Sequence, residues 1–124
     1  ANPDIIVDRG SVREWCAGAL AKMYTDLGGE SLYFGKPFQP IYDLARRRLS
    51  STGVQINDDR ILAIGDGITT DILGAEKEGI DSLFITGGLA ALETGTREQP
   101  DQVLLEQYLK EQKVNATFSI GHLR

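Results

Sequence analysis

A chain of 124 residues, 41% hydrophobic and 25% charged, has the composition of one soluble globular unit rather than of a fibre or a disordered tail. Its net charge of −5 leaves no basic footprint, so nucleic acid is not an expected partner. No apolar run approaches the roughly 20 residues that span a bilayer, so no membrane partner is expected either.

Residues 1–10 read as an extended or looped lead-in. Residues 11–27 are predicted helical, with Trp15, Ala19, Leu20, Met23 and Leu27 forming an apolar face and Gly28-Gly29 ending the helix. Cys16, the only cysteine, is expected to be a small packed residue and not a nucleophile. With no internal disulfide partner it fits a reducing, cytoplasmic setting. Leu32-Tyr33-Phe34 is a short β-prone run, followed by Gly35-Lys36-Pro37 and a helix predicted over 41–51, where Ile41, Leu44, Ala45 and Leu49 recur at helical spacing. Pro37 and Pro40 suit the approach to that helix and its first turn, which holds Lys36 on a short, stiff connection. Arg46-Arg47-Arg48 point in different directions on a helix and are expected to face water. Asn57-Asp58-Asp59 reads as the turn before the next strand.

The next segment is Ile61-Leu62-Ala63-Ile64-Gly65-Asp66-Gly67, then Ile68-Thr69-Thr70-Asp71. Its apolar run predicts a strand at 61–64, buried on both faces of a parallel sheet. Asp66 then stands at the strand's carboxyl end, where open α/β sheets place their ligands. Thr69 or Thr70 can cap a helix predicted over 71–78, and Asp71 falls in or beside its first turn, so the two carboxylates can converge. Close carboxylates repel unless positive charge lies between them, and Mg²⁺ favours such oxygen ligands. Gly65 and Gly67 remove side chains that would block close approach to the backbone. An ammonium at Lys36 could neutralise a phosphate and one of the carboxylates together. The same motif also suits a tight strand-to-helix turn with a solvated Asp66 and a helix-start Asp71, and taken alone it leaves both readings open.

Beyond the motif a strand is predicted at 82–86, with Gly87-Gly88 at its carboxyl end lining the mouth of the site. Residues 89–99 read as a long mobile loop. A helix over 101–113 carries Leu104, Leu105, Tyr108 and Leu109 as core, and a last strand lies near 116–120. His122, the only histidine, has no acid or nucleophile beside it in sequence and reads as structural or free. Alternating strands and helices favour βαβ crossovers and the α/β class.

Taken in order, Gly35-Lys36-Pro37, a helix, the 61–75 motif, Gly79, and Leu83-Phe84-Ile85-Thr86-Gly87-Gly88 resemble the carboxyl-terminal half of a haloacid dehalogenase (HAD) superfamily hydrolase of subfamily IIA. Asn2-Pro3-Asp4 and the helix through Gly18-Ala19 resemble the end of that subfamily's α/β cap. The resemblance implies a partial HAD-like Rossmannoid core over 32–124, with parallel strands flanked by helices, preceded by a cap tail over 1–31. It implies Lys36, Asp66 and Asp71 as catalytic residues, with Lys36 stabilising the nucleophile and the phosphate. Asp66 would ligate Mg²⁺, with Asp71 its supporting partner, and Gly35, Gly65 and Gly67 would form the backbone of the site. The implied reaction is hydrolysis of a small phosphorylated substrate, a phosphate monoester, through an aspartyl-phosphate.

The family's nucleophile, the first Asp of an Asp-x-Asp-Gly-type motif after an amino-terminal strand, has no counterpart here. Asp4 and Asp8 stand before the cap-like helix instead. The chain is therefore expected to be a portion of a larger enzyme, inactive alone, that self-associates or binds the missing amino-terminal half. A non-catalytic phosphate-binding or interaction module on the same half-fold is the alternative. A receiver-like phosphoacceptor fits less well, because its Lys would follow the acceptor Asp, whereas Lys36 precedes Asp66.

Overall fold

The computed structural model describes residues 2–123, Asp8 by its backbone alone. The chain opens with an antiparallel hairpin of β1 (Ile6–Arg9) and β2 (Val12–Trp15). Arg9 pairs with Val12, which leaves a two-residue loop with Gly10 at φ 63°, a position where glycine carries no Cβ penalty. The lead-in expected to be extended or looped is thus partly a strand. Residues 12–15, expected to be helical, are its partner. The β-branched Ile6, Val7 and Val12 around a Gly-Ser turn outweigh the helical spacing of Trp15. Helix α1 (Ala17–Asp26) follows and stops before Gly28, at φ 92°. Its apolar face does not pack down: Leu20, Met23 and Leu27 are all exposed.

Residues 32–34, expected to be a strand, form no strand and run irregularly into the Lys36 turn. Helix α2 (Gln39–Ser50) has Pro40 in its first turn. A 3₁₀ turn (Asp58–Arg60) then feeds β3 (Leu62–Gly65). After it come a π-helical turn (Ile68–Ile72), α3 (Leu73–Glu78), β4 (Asp81–Ile85), α4 (Gln102–Gln112) and β5 (Phe118–Ile120). Strands β3, β4 and β5 form a parallel sheet in that order, with helices against it, an α/β arrangement of Rossmann-like kind. Gly79, at φ 69°, ends α3 in the left-handed conformation, and the Ile80 N–H bonds back to the Ala75 carbonyl. Asp101 starts α4 by accepting the N–H groups of Val103 and Leu104, both at 3.0 Å.

The core lies on one side of this sheet. Phe84 on the central strand is fully buried among Ile68, Ile72, Leu105 and Val114, and its ring stacks on Tyr108 at 6.3 Å. Leu105, Tyr108 and Leu109 are core as expected, whereas Leu104 is 41% exposed. Alternation sends Ile64, Leu83 and Phe118, which are register partners, to the other face. Leu62 and Ile64 are 43% and 50% exposed there, so β3 is covered on one side and not, as expected, on two. The apolar run does carry two buried-type faces, but the packed helices of this chain cover only the Phe84 side.

Arg46 departs from its expected solvent position. It donates to both carboxylate oxygens of Asp58 (3.3 and 2.9 Å) and to Glu78 (2.6 Å), tying α2 to the 3₁₀ turn and to the end of α3. These hydrogen bonds, Asp58's first, raise the guanidinium's pKa further above its usual value.

Candidate functional site

The motif after β3 takes its shape from crowding. The π-helical turn begins with the N–H groups of Asp71 and Ile72 both bonding to the Gly67 carbonyl, at 2.8 and 3.1 Å. That turn folds the Asp71 side chain back toward the strand end, where its Oδ2 accepts the Gly67 N–H at 3.0 Å. A Cβ at Gly65 would lie 2.2 Å from the Asp71 carboxyl carbon, and one at Gly67 would lie 2.2 Å from the Thr70 hydroxyl. The two glycines thus make room for the motif's own side chains. Neither Thr69 nor Thr70 caps the following helix, since the turn starts from Gly67 with no side-chain cap.

Lys36 reaches this motif from 35 residues away and pairs with Asp71 Oδ1. Its loop is stiffened by stacking of Tyr33 on Phe38, with ring centroids 5.0 Å apart, and by a turn in which the Phe38 N–H bonds to the Gly35 carbonyl at 3.0 Å. Close helix packing sets the approach: a Cβ at Gly74 would meet the Tyr42 hydroxyl at 1.9 Å and Pro37 Cα at 3.1 Å. Burial, with the charges of Asp71 and Glu78 adding to it, pushes the Tyr42 hydroxyl's pKa up and keeps the phenol neutral. Gly35 lies against Pro3, whose ring would stand 2.7 Å from a Cβ there.

Asp66 sits one residue past the end of β3, held from the far side. Its Oδ2 accepts the Leu89 N–H at 3.3 Å, and a Cβ at Gly88 would lie 2.2 Å from the same oxygen. Gly88 therefore does border the site, in contact with Asp66. A cleft of about 270 Å³ opens between these parts, lined by Asp4, Lys36, Asp66, Gly67, Thr70, Asp71 and Leu89 among others. A second cleft shares Asp4, Asp66, Gly67, Thr70 and Leu89 and continues toward Arg13, Thr69, Glu93 and Tyr108.

The structure thus brings Lys36, Asp66 and Asp71 into one cleft, with Gly65 and Gly67 inside the motif that shapes it. Sequence reasoning missed Leu89, whose contribution is a backbone N–H and leaves no side-chain signal, and missed Asp4 as a lining residue. Asn2-Pro3-Asp4 was the available signal for the latter. His122 is not free, since its Nε2 lies 2.9 Å from the Arg97 carbonyl oxygen.

The donor set suits a hard cation in part. Asp71 is 9% exposed and already pairs with Lys36, while Asp66 takes one backbone N–H and keeps further acceptor capacity. Among the described residues no group of three or more His, Cys, Asp or Glu is placed to hold a metal. One or two carboxylates, completed by waters and substrate oxygens, is a common Mg²⁺ arrangement, so these residues fit that ion.

A family model described as HAD-hydrolase-like matches residues 33–109. A solved HAD-like hydrolase from Brucella suis 1330 is 40% identical, with 99% of this chain and 42% of that one aligned and a TM-score of 0.75. A possible sugar phosphatase of the HAD superfamily from Cytophaga hutchinsonii is 24% identical, covering 94% of this chain and 38% of its own, with a TM-score of 0.70. A p-nitrophenyl phosphatase from Archaeoglobus fulgidus is 17% identical, covering 96% and 41%, with a TM-score of 0.69. The last two likenesses are of fold. The chain spans about two fifths of the length of these solved structures. No curated protein sequence matches it.

Proposed function

The chain belongs to the HAD-like hydrolases, and on that premise we propose that it is the carboxyl-terminal portion of a subfamily IIA-type, Mg²⁺-dependent phosphate-monoester hydrolase. Residues 1–31 are then the tail of the cap and residues 32–124 the carboxyl-terminal half of the core. The relatives' greater length leaves room for the nucleophilic Asp elsewhere in the whole protein. The observation that carries this reading is the meeting of Lys36 and Asp71 in one cleft with Asp66. Lys36 and Asp71 are 35 residues apart in sequence and meet beside Asp66 at the end of β3.

The chemistry follows from charge. In the first step an Asp carboxylate supplied by the rest of the protein attacks phosphorus, the phosphorus–oxygen bond to the leaving group breaks, and an aspartyl-phosphate forms. In the second, water attacks the same phosphorus and regenerates the carboxylate. Lys36 holds negative charge on the phosphoryl oxygens and on the nucleophile, a fixed positive charge placed where negative charge develops. Asp71 keeps the ammonium aimed, because the pair is anchored on a residue that the Gly67 N–H also fixes. Asp66, with Asp71 behind it, would hold Mg²⁺, which when bound supplies positive charge and orientation to the phosphate.

No described helix is long and apolar enough to cross a membrane, and the free Cys16 suits the cytoplasmic location that we propose. The test is Mg²⁺-dependent release of phosphate from 4-nitrophenyl phosphate by the full-length protein, compared with its Asp66→Asn variant.

A further inference from the structure

We propose that a ladder of three hydroxyls, Thr86, Thr96 and Thr94, is the positioning device for Asp66, an inference that rests on the metal-site reading above. Residues 89–99, read from sequence as a mobile loop, form a turn-rich loop that hydrogen bonds close on itself. Thr86 follows the end of β4, is fully buried, and anchors to β5 through its N–H to the Ile120 carbonyl at 2.9 Å. The chain leaves the sheet there and returns ten residues later, where the Thr96 hydroxyl donates to Thr86 Oγ1 at 2.8 Å. Thr94, also fully buried, lies 2.7 Å from Thr96 Oγ1 and donates to the Ala90 carbonyl at 2.7 Å. Backbone bonds from Thr96 N–H to Ala91 and from Asp101 N–H to Thr94 close the same segment.

The closed loop acts on Asp66 through its first residues. Leu89 N–H bonds to Asp66 Oδ2, and Gly88 lies beside that oxygen with no room for a Cβ. Ala91 N–H in turn bonds to the Gly88 carbonyl at 3.2 Å, which links that residue to the hydrogen-bonded part of the loop. Each end hydroxyl also donates to a carbonyl, Thr86 to Ile120 at 3.3 Å and Thr94 to Ala90 at 2.7 Å, so Thr96 is the link between the sheet end and the loop, and removing its hydroxyl uncouples the two. Groups that orient a metal ligand from behind commonly change metal affinity by 10–100-fold when lost. Thr86, Thr94 and Thr96 touch no reacting atom in this arrangement and act through the Leu89 N–H.

The experiment measures Mg²⁺ affinity by titration calorimetry on the full-length protein as wild type, Asp66→Asn, Thr96→Val and Thr96→Ser, with a thermal melt of each in the absence of Mg²⁺. Thr96→Val should weaken Mg²⁺ by about tenfold, and Thr96→Ser, which restores the hydroxyl, should recover most of it. At saturating Mg²⁺ the Michaelis constant for 4-nitrophenyl phosphate should stay unchanged. If Asp66→Asn binds Mg²⁺ like wild type, the metal-site reading itself falls. If Asp66→Asn loses Mg²⁺ while Thr96→Val keeps wild-type affinity, or if serine is as weak as valine, the ladder has no positioning role. Thr96→Ala decides the point where the valine protein does not fold.

Discussion

Three glycines, Gly65, Gly67 and Gly88, show what single residues do here, because each stands where a Cβ would collide with a side chain of the motif. Gly88 offers the cleanest test. It is exposed, its backbone φ is not in the left-handed region, and the contact that a methyl would make is with Asp66. Gly88→Ala should lower phosphate hydrolysis by the full-length protein at least tenfold, the scale of a misplacement of about 1 Å at a catalytic group. Its melting temperature should fall little, since no core residue is touched. Steady-state kinetics and a thermal melt on the same preparation check both. Lys36, Asp66 and Asp71 were picked out in the sequence by the ordered set of motifs that carries the family resemblance, since each motif alone suits an ordinary turn or a surface lysine. The partners that hold them were less legible: Leu89 contributes only its backbone, and Tyr42 and Gly74 meet through packing between helices.

The elements with strong local signals formed where the sequence placed them. Helix α2 with Pro40 in its first turn, α4 behind its Asp101 cap and β4 around Phe84 lie within two residues of expectation. The hairpin was misread because Trp15 and the helix after it share one apolar spacing, and that spacing outweighed the Gly10-Ser11 turn. The π-helical turn was illegible because one extra residue per turn leaves no periodicity to read. Arg46 failed for a different reason, since two of its partners, Asp58 and Glu78, lie 12 and 32 residues away. Its three hydrogen bonds tie three elements, and Glu78 has a side chain only 12% exposed. Arg46→Met should therefore destabilise the protein by about 2 kcal/mol, in the range for hydrogen bonds between charged groups. Arg46→Lys should recover only part of that, because an ammonium cannot make the fork to Asp58. Urea denaturation followed by circular dichroism measures both, and an unchanged midpoint in Arg46→Met would mean that the hub is solvated surface.

At the scale of the whole molecule, the sheet is finished on one side only. Strand β3 is an edge with Leu62 and Ile64 exposed, and Phe118 on the same face is 56% exposed. An apolar edge of this kind invites another strand, and the relatives that the chain matches are more than twice as long. We propose that in the whole protein an amino-terminal segment covers this edge and face. The 124-residue chain alone should then self-associate, and light scattering on a size-exclusion column should give a mass above 13.6 kDa. A monomer with a cooperative melt would show that the chain closes its own core. The α/β class was legible from alternation alone, but which face stays open was not, because that depends on what else the sheet packs against. The central claim, that Lys36, Asp66 and Asp71 are the charged half of a phosphohydrolase site, is tested most directly by one comparison. Phosphate release from 4-nitrophenyl phosphate with Mg²⁺ is measured for the full-length protein and for Asp66→Asn, with circular dichroism on each. The expected result is activity in the wild type that falls by several powers of ten in Asp66→Asn with an unchanged spectrum. Equal activity in the two proteins would contradict the account.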